Sequence, residues 1–256
     1  VALPDNFSGE LRAAIDLLPG VLAAEERAWA ESGRAAFHVA LGFVPNGRIL
    51  DLGGGISAPL LALARLGMEV HVVDDFGQPY HSRPEWQEAI ALFQNAGVRF
   101  HRFPLGECTF DFLADGSVAR LVSYDCFEHL HSSPRRMLER AIPKLSPGGR
   151  LVVGVPNAVN AMKRLRVLAG RTNLAPFDDW WLRGDPFRGH VREWTAAELL
   201  DLAGRLALRG ARVEGRNWFA WQRRRALPLP VVRLVDRLLR LRPGLSSNLY
   251  LVAEAG

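Results

Sequence analysis

The sequence is 256 residues long and 48% hydrophobic, enough apolar material for one sizeable core, and an α/β chain of this length commonly forms a single domain. Its net charge of +5 is regional, because residues 201–256 alone carry eleven arginines against four acids, so the remainder is slightly negative. Two cysteines, no run of 18 apolar residues and an N-terminus, VALPDNFSGE, without a basic region ahead of an apolar one argue against a disulfide framework, a membrane span and a retained signal peptide. A reducing, cytoplasmic setting is therefore expected, with Cys108 and Cys126 as packed thiols.

Residues 7 to 44 carry helical spacing, Leu11, Ile15, Leu18 and Leu22 and then Trp29, Phe37 and Leu41, and Pro19-Gly20 predicts a break into two helices. Next comes Arg48 to Ser57, RILDLGGGIS, where an apolar strand runs through Asp51 into Gly53, Gly54 and Gly55. The run from Ala58 to Leu66 is rich in helix formers, and Gly67 is placed as its stop. Such a strand, glycine loop and helix aims backbone N–H groups and a positive helix end at a ligand. Gly53, Gly55 and Ala58 also satisfy the dinucleotide pattern G-x-G-x-x-A, with Asp74 at a plausible distance for a ribose contact. Asp51 separates the readings. Its carboxylate at the end of the strand would repel a pyrophosphate but attract an ammonium group, which favours a zwitterionic amino-acid cofactor over NAD.

A second strand, VHVVD, ends at Asp74, and the loop DDFGQPYHSRP, with Tyr80, His81 and Arg83, precedes a helix that stops at Gly97. Val98 to Phe103 alternates as a third strand, in which His101 and Arg102 read as ordinary strand-face residues. Asp125, Glu128, His129 and His131 then fall within seven residues, with Asp125 at a strand end and Glu128 and His129 opening a helix. The stretch from 156 to 190 reads as a long loop with Pro156, Pro176 and Pro186 among Phe177, Trp180, Trp181, Phe187 and Asp178, Asp179, Asp185. Length and aromatic content suit acceptor recognition, a polyol or sugar as well as a flat phenol; packing of a lid is the alternative. Thr195 to Glu198, T-A-A-E, is a capping box ahead of a further helix.

Together these segments resemble the class I methyltransferases that use S-adenosylmethionine. The resemblance is carried by Asp51 with G-x-G, by Asp74, by LVSYDCFEHL and LSPGGRLVVGVPN, and by GHVREWT ahead of AAELLDLA, over roughly residues 45 to 215. It implies a doubly wound, mostly parallel, seven-stranded Rossmann-like sheet, with a helical insertion before the last strand. It divides one domain into an N-terminal helical cap (1–45), a cofactor-binding core (46–155), an acceptor-side loop (156–195) and C-terminal helices and last strands (196–256). The cap would cover the cofactor or merely close the sheet. The resemblance also implies cofactor contacts at Asp51, Gly53, Gly55, Asp74 and Asp125. Where many relatives carry a third glycine and a third-strand aspartate, this chain has Ser57 and offers Glu107 or Asp111.

Such an enzyme transfers a methyl group, here to a hydroxyl of a sugar-containing, glycan or natural-product acceptor. A base is needed only to deprotonate that hydroxyl, and His129 and His190 are the candidates, since imidazole accepts a proton near neutrality. His190 could equally be a surface residue paired with Glu193. Asp125, Glu128 and His129 resemble the metal-binding segment of ubiquinone-pathway O-methyltransferases, but a helix start with Glu128 near its positive end is the favoured reading, and no metal is assigned. The competing functions are a NAD-dependent oxidoreductase, a methyltransferase-like binding protein without catalysis, and a nucleic-acid methyltransferase, for which no amino-methylating N/D-P-P-aromatic motif is present.

The C-terminal quarter adds a basic amphipathic segment. Arg223 to Arg225 precede VVRLVDRLLRLR, whose Val231, Val232, Leu234, Val235, Leu238, Leu239 and Leu241 trace an apolar face opposite Arg233, Arg237, Arg240 and Arg242. Packing of that face on the domain is the first expectation. Peripheral contact with an anionic membrane at its inner face is the second. Arg212 to Asn217 and NLYLVAE are predicted to pair as the last two strands.

Overall fold

The computed structural model describes residues 3–77, 79–182, 187–218 and 229–256. Its strands are β1 (Arg48–Leu52), β2 (Glu69–Asp74), β3 (Arg99–Arg102), β4 (Val118–Tyr124), β5 (Leu145–Pro156), β6 (Arg209–Arg216) and β7 (Asn248–Glu254). They form one seven-stranded sheet in the order β3-β2-β1-β4-β5-β7-β6. β1 pairs parallel with β2 and with β4, β2 pairs parallel with β3, and β6 and β7 are antiparallel. The order reverses between β1 and β4, and in doubly wound sheets the crevice at such a reversal, beyond the carboxyl strand ends, takes the ligand. No helix among the described residues is long and apolar enough to cross a membrane.

Two compact units are distinguished: Val1–Val122 with Glu139–Arg150, and Ser123–Leu138 with Leu151–Gly256. The first opens with α1 (Phe7–Leu17), α2 (Gly20–Glu31) and α3 (Arg34–Gly42). Leu18 is extended, as a residue ahead of proline must be, and this ends α1 where expected. A second break, at Ser32-Gly33, was not legible from the apolar spacing; Gly33 takes a left-handed φ of 79° that turns the chain into α3. β1 is buried from Ile49 to Leu52, polar Asp51 included. α4 (Ala58–Arg65) follows the glycine loop, with Pro59 in its first turn and Ala58 to Leu63 buried without interruption. α5 (Pro84–Asn95) leads to β3.

Three readings of the second unit are corrected. Glu128 and His129 do not open a helix: they sit in a short 3-10 turn, Phe127–His129, and the next helix, α6 (Arg135–Ala141), starts beyond Pro134. The supposed loop of residues 156 to 190 contains α7 (Ala161–Leu168) and α8 (Phe177–Leu182). Pro176 stands just before α8 and so bounds a helix rather than excludes one, and Asn160 caps α7 by accepting from the Lys163 N–H at 3.0 Å. Asp185 and Pro186 lie outside the described residues. The capping box of α9 (Ala196–Arg205) is present with both of its bonds.

The last correction concerns the inserted helix, α10 (Leu229–Arg240). Its apolar stripe was expected to be covered, yet Val231, Leu234, Val235 and Leu238 are exposed, as is Leu241 just beyond it, while Leu239 is half-buried. Arg223 to Arg225 lie outside the described residues.

Candidate functional site

The first unit places two carboxylates around the glycine loop. Gly53 and Gly55 both adopt left-handed backbone, with φ of 76° and 55°, which explains why side-chain-bearing residues would be strained there. The Gly53 N–H donates to the Val73 carbonyl at 2.8 Å and so ties the loop to β2. At Gly54 the constraint is contact rather than torsion: a Cβ would stand 2.0 Å from Asp51 Oδ1. The Asp51 carboxylate thus lies directly over the loop, 1% exposed. Burial pushes it up to about 8, against the pull of the Gly54 N–H and with help from the charge of Asp74. Asp51 Oδ1 is buried without a hydrogen-bond partner among the described residues.

Asp74 closes β2. Its Oδ1 accepts from the Phe76 N–H at 2.7 Å, and its Oδ2 would stand 3.7 Å from a Cβ on Gly55. Burial raises its carboxyl above the ordinary range, offset by the Phe76 amide. A buried acceptor lacking a donor, beside a cradle that only glycine can form and a second carboxylate, fits a ligand bearing an ammonium and paired hydroxyls. The residues present therefore fit the amino-acid and ribose ends of S-adenosylmethionine.

Sequence reasoning missed Glu26. From α2 its Oε1 accepts the N–H of Ala58 at 3.1 Å, the first amide of α4, and the residue is 5% exposed. The helix start seeks a carboxylate because its first N–H groups have no intrahelical partner. Nothing in AEERAW marks which acid turns inward, so only an apolar-face position was available as a signal. Glu107 is exposed in the loop after β3, and Asp111 accepts from Thr109 Oγ1 at 2.6 Å. His81 is buried between Phe76 and Trp86, at ring separations of 5.2 and 4.9 Å.

In the second unit Asp125 follows β4 with a left-handed φ of 50°, its N–H donating to the Gly154 carbonyl at 2.9 Å. Positive φ is uncommon outside glycine, and such strain gathers at functional positions. Three residues on, the main chain stitches the 3-10 turn to the loop ahead of α9: the Glu128 carbonyl accepts from Val191 N–H at 2.7 Å and Arg192 N–H at 3.2 Å. That brings His129 and His190 together, with ring centroids 5.0 Å apart at 79°. His129 Nδ1 lies 3.2 Å from the Gly189 carbonyl, which can only accept, so that nitrogen carries the proton. His190 Nδ1 lies 2.9 Å from Glu193 Oε1, as the pairing alternative anticipated, and Lys163 pairs with the other oxygen of Glu193. With Glu128, 0% exposed, one ligand atom from each of Glu128, His129 and His190 falls within 4.8 Å of the others. Asp125 is not in that group. His131 is exposed and 2.7 Å from the Phe187 carbonyl.

With this geometry established, the comparisons assign the class. A family model described as a methyltransferase domain matches residues 23–209. The chain belongs to that family, and its sheet and loop are those of the class I enzymes, whose cofactor is S-adenosylmethionine. Among solved structures, a methyltransferase from Archaeoglobus fulgidus is 15% identical, with 90% of this chain and 96% of that one covered at a TM-score of 0.57. One from Mesorhizobium loti is 20% identical, with 88% and 98% covered at 0.57. The 1,6-didemethyltoxoflavin-N1-methyltransferase of Burkholderia thailandensis, solved with its substrate and S-adenosylhomocysteine, is 18% identical, with 99% and 91% covered at 0.53. At such identities the likeness is one of fold. No curated protein matches the chain. Membership sets aside the NAD-dependent reading of the loop.

Proposed function

We propose that the protein transfers a methyl group from S-adenosylmethionine to a hydroxyl of a polar small molecule, a sugar-containing, glycan or natural-product acceptor. Asp51 would take the ammonium end, Asp74 the ribose hydroxyls, Gly53 and Gly55 would let the ligand approach the main chain, and Glu107 and Asp125 would complete the contacts. The bound cofactor supplies a methyl group already activated on a sulfonium. What this chain adds is the pair of imidazoles. With Nδ1 of His129 protonated against Gly189 O, its Nε2 is the basic nitrogen, and Glu193 holds His190 in the same tautomer. That pairing supports a hydroxyl acceptor, whose proton must leave during the transfer. Exposed Phe177, Trp180 and Trp181 interleaved with Asp178 and Asp179 on α8 support a polyol or sugar, whose ring faces stack on aromatics while carboxylates take its hydroxyls. We further place the protein in the cytoplasm, working at the inner face of an anionic membrane.

The test is methyl incorporation from labelled S-adenosylmethionine into a panel of sugar, phenol and amine acceptors. His129→Ala and His190→Ala are each expected to lower turnover about 100- to 10,000-fold with unchanged affinity for S-adenosylhomocysteine. Faster labelling of amines than hydroxyls, or normal turnover in both variants, would refute the base assignment. Absence of turnover with every acceptor despite tight cofactor binding would favour a binding protein. EDTA is expected to leave activity intact; loss restored by magnesium would give the Glu128, His129 and His190 cluster a metal instead.

A further inference from the structure

Between β6 and α10 lies a cavity of about 410 Å³, lined by Glu214, Arg216, Arg237, Arg240, Leu241 and Pro243 among others. Three guanidinium groups share it with one carboxylate. Arg216 is bonded to Glu214 at 2.9 Å, but Arg212 approaches the same carboxylate at 3.5 Å, and Arg240 is held by Asp236 at 3.6 Å. Four arginines thus surround two acids, and Arg216 is pressed by burial and by the charge of Arg240. A cavity that concentrates positive charge beyond its own carboxylates calls for an anion.

The same helix makes an independent demand. Val231, Leu234, Val235, Leu238 and Leu241 recur at three- and four-residue steps, and all are exposed, from 41% to 75%. Leu241, the most exposed of them, also lines the cavity, so the cavity opens at the edge of the stripe. α7 repeats the pattern, exposing Met162, Leu165 and Leu168 beside Arg164 and Arg166. It lies close by, since a Cβ on Gly244, in the turn after α10, would stand 3.9 Å from the Arg164 guanidinium. Exposed apolar stripes on helices whose other faces carry arginines match an anionic lipid surface: apolar side chains enter the acyl boundary and long guanidinium side chains reach back to phosphates at its level. A helix of 12 residues rises only about 18 Å, too little to span and enough to lie in the interface.

We propose that α10 and α7 dock on an anionic phospholipid membrane, and that the cavity between β6 and α10 seats the phosphate of one headgroup among Arg216, Arg237 and Arg240. The proposal rests on the membrane placement made above and names the surface and the headgroup site. Co-sedimentation of the full chain with vesicles of phosphatidylcholine alone, and with added phosphatidylglycerol, at low and high salt, is the experiment. Binding to the anionic vesicles alone, weakened by salt, is expected. Arg237→Gln and Arg240→Gln should each weaken it roughly 5-fold, and the pair Leu234→Asp with Leu238→Asp should abolish it while circular dichroism stays unchanged. Recovery in the supernatant under every condition would overturn both the membrane placement and this site. Anionic binding untouched by all four substitutions would keep the placement and overturn the site. Equal binding to neutral vesicles would remove the phosphate, protection by inorganic phosphate without vesicle binding would remove the lipid, and a dimer dissolved by the Leu234 and Leu238 substitutions would give the stripe to a second copy.

Discussion

Asp51 is the residue whose chemistry is most sharply defined. Burial raises its carboxyl to about 8, so below that pH it is mostly protonated, whereas an ammonium partner favours the ionised form. Cofactor binding should therefore expel a proton, and the affinity for S-adenosylhomocysteine should tighten as pH rises toward about 8. Calorimetry in buffers of different ionisation enthalpy reads this directly: a buffer-dependent heat is expected at neutral pH, and none after Asp51→Asn. At Asp74, loss of the carboxylate should cost on the order of 2 to 4 kcal/mol of the same affinity if, as proposed, it accepts charge-assisted bonds from both ribose hydroxyls. Gly54→Ala should be worse for folding than either, since its methyl would occupy the place of Asp51 Oδ1. Overpacking of this kind costs about 1 to 3 kcal/mol, visible as a lowered urea midpoint. Both aspartates were legible in the sequence because Asp74 ends a short apolar strand and Asp51 stands one residue before the end of another, positions that need no tertiary information. Glu26 was not, since its role depends on a helix brought near from thirty residues away.

Among the elements, legibility followed the strength of local signals. The strands at 48–52, 69–74 and 248–254 and the capping box of α9 were read from apolar runs and from a side-chain pattern that closes on itself within four residues. Thr195→Ala should accordingly lower stability by about 1 kcal/mol and leave cofactor affinity unchanged, as a denaturation curve beside a binding isotherm would show. The helices α7 and α8 were hidden by prolines and tryptophans that suggested an irregular loop. The turn at Phe127–His129 was read as a helix start because Glu-His-Leu resembles one common in the family; what sets it is the bonding of the Glu128 carbonyl to Val191 and Arg192, sixty residues on. For α10 the pattern gave the helix but not its environment, because an amphipathic stripe looks the same whether protein or lipid covers it.

At the scale of the molecule, pH response follows from histidines held neutral. Burial lowers His38 well below the ordinary imidazole range, aided by the Arg34 charge, and burial with the charges of His71 and Arg99 brings His101 to about 4. His71 is lowered too, chiefly by burial, although Glu69 opposes this. An unfolded imidazole titrates near 6.5. Between about 6.5 and about 4 the unfolded chain binds more protons than the folded one, so stability falls as pH falls through that window. Glu69 acts lower: burial would raise it, but hydrogen bonds from Arg48 and His71 bring it down to about 2, so its contribution is intact above the ordinary carboxyl range and lost toward that value. Urea midpoints at about pH 7.5 and about pH 5 should differ in the parent protein and differ less in His101→Gln, whose side chain cannot titrate on its stack with Phe112 at 3.5 Å.

The main-chain clasp of Glu128 O on Val191 and Arg192 bears on how freely the residues it presents can change. The two peptide segments that present His129 and His190 are joined by amide and carbonyl groups that every residue type except proline supplies. Their juxtaposition therefore does not depend on which side chains are displayed. Aspartate, tyrosine or a small apolar residue at either position would be presented on the same scaffold, so the side chains that meet there can be exchanged by point substitution while the two segments stay joined.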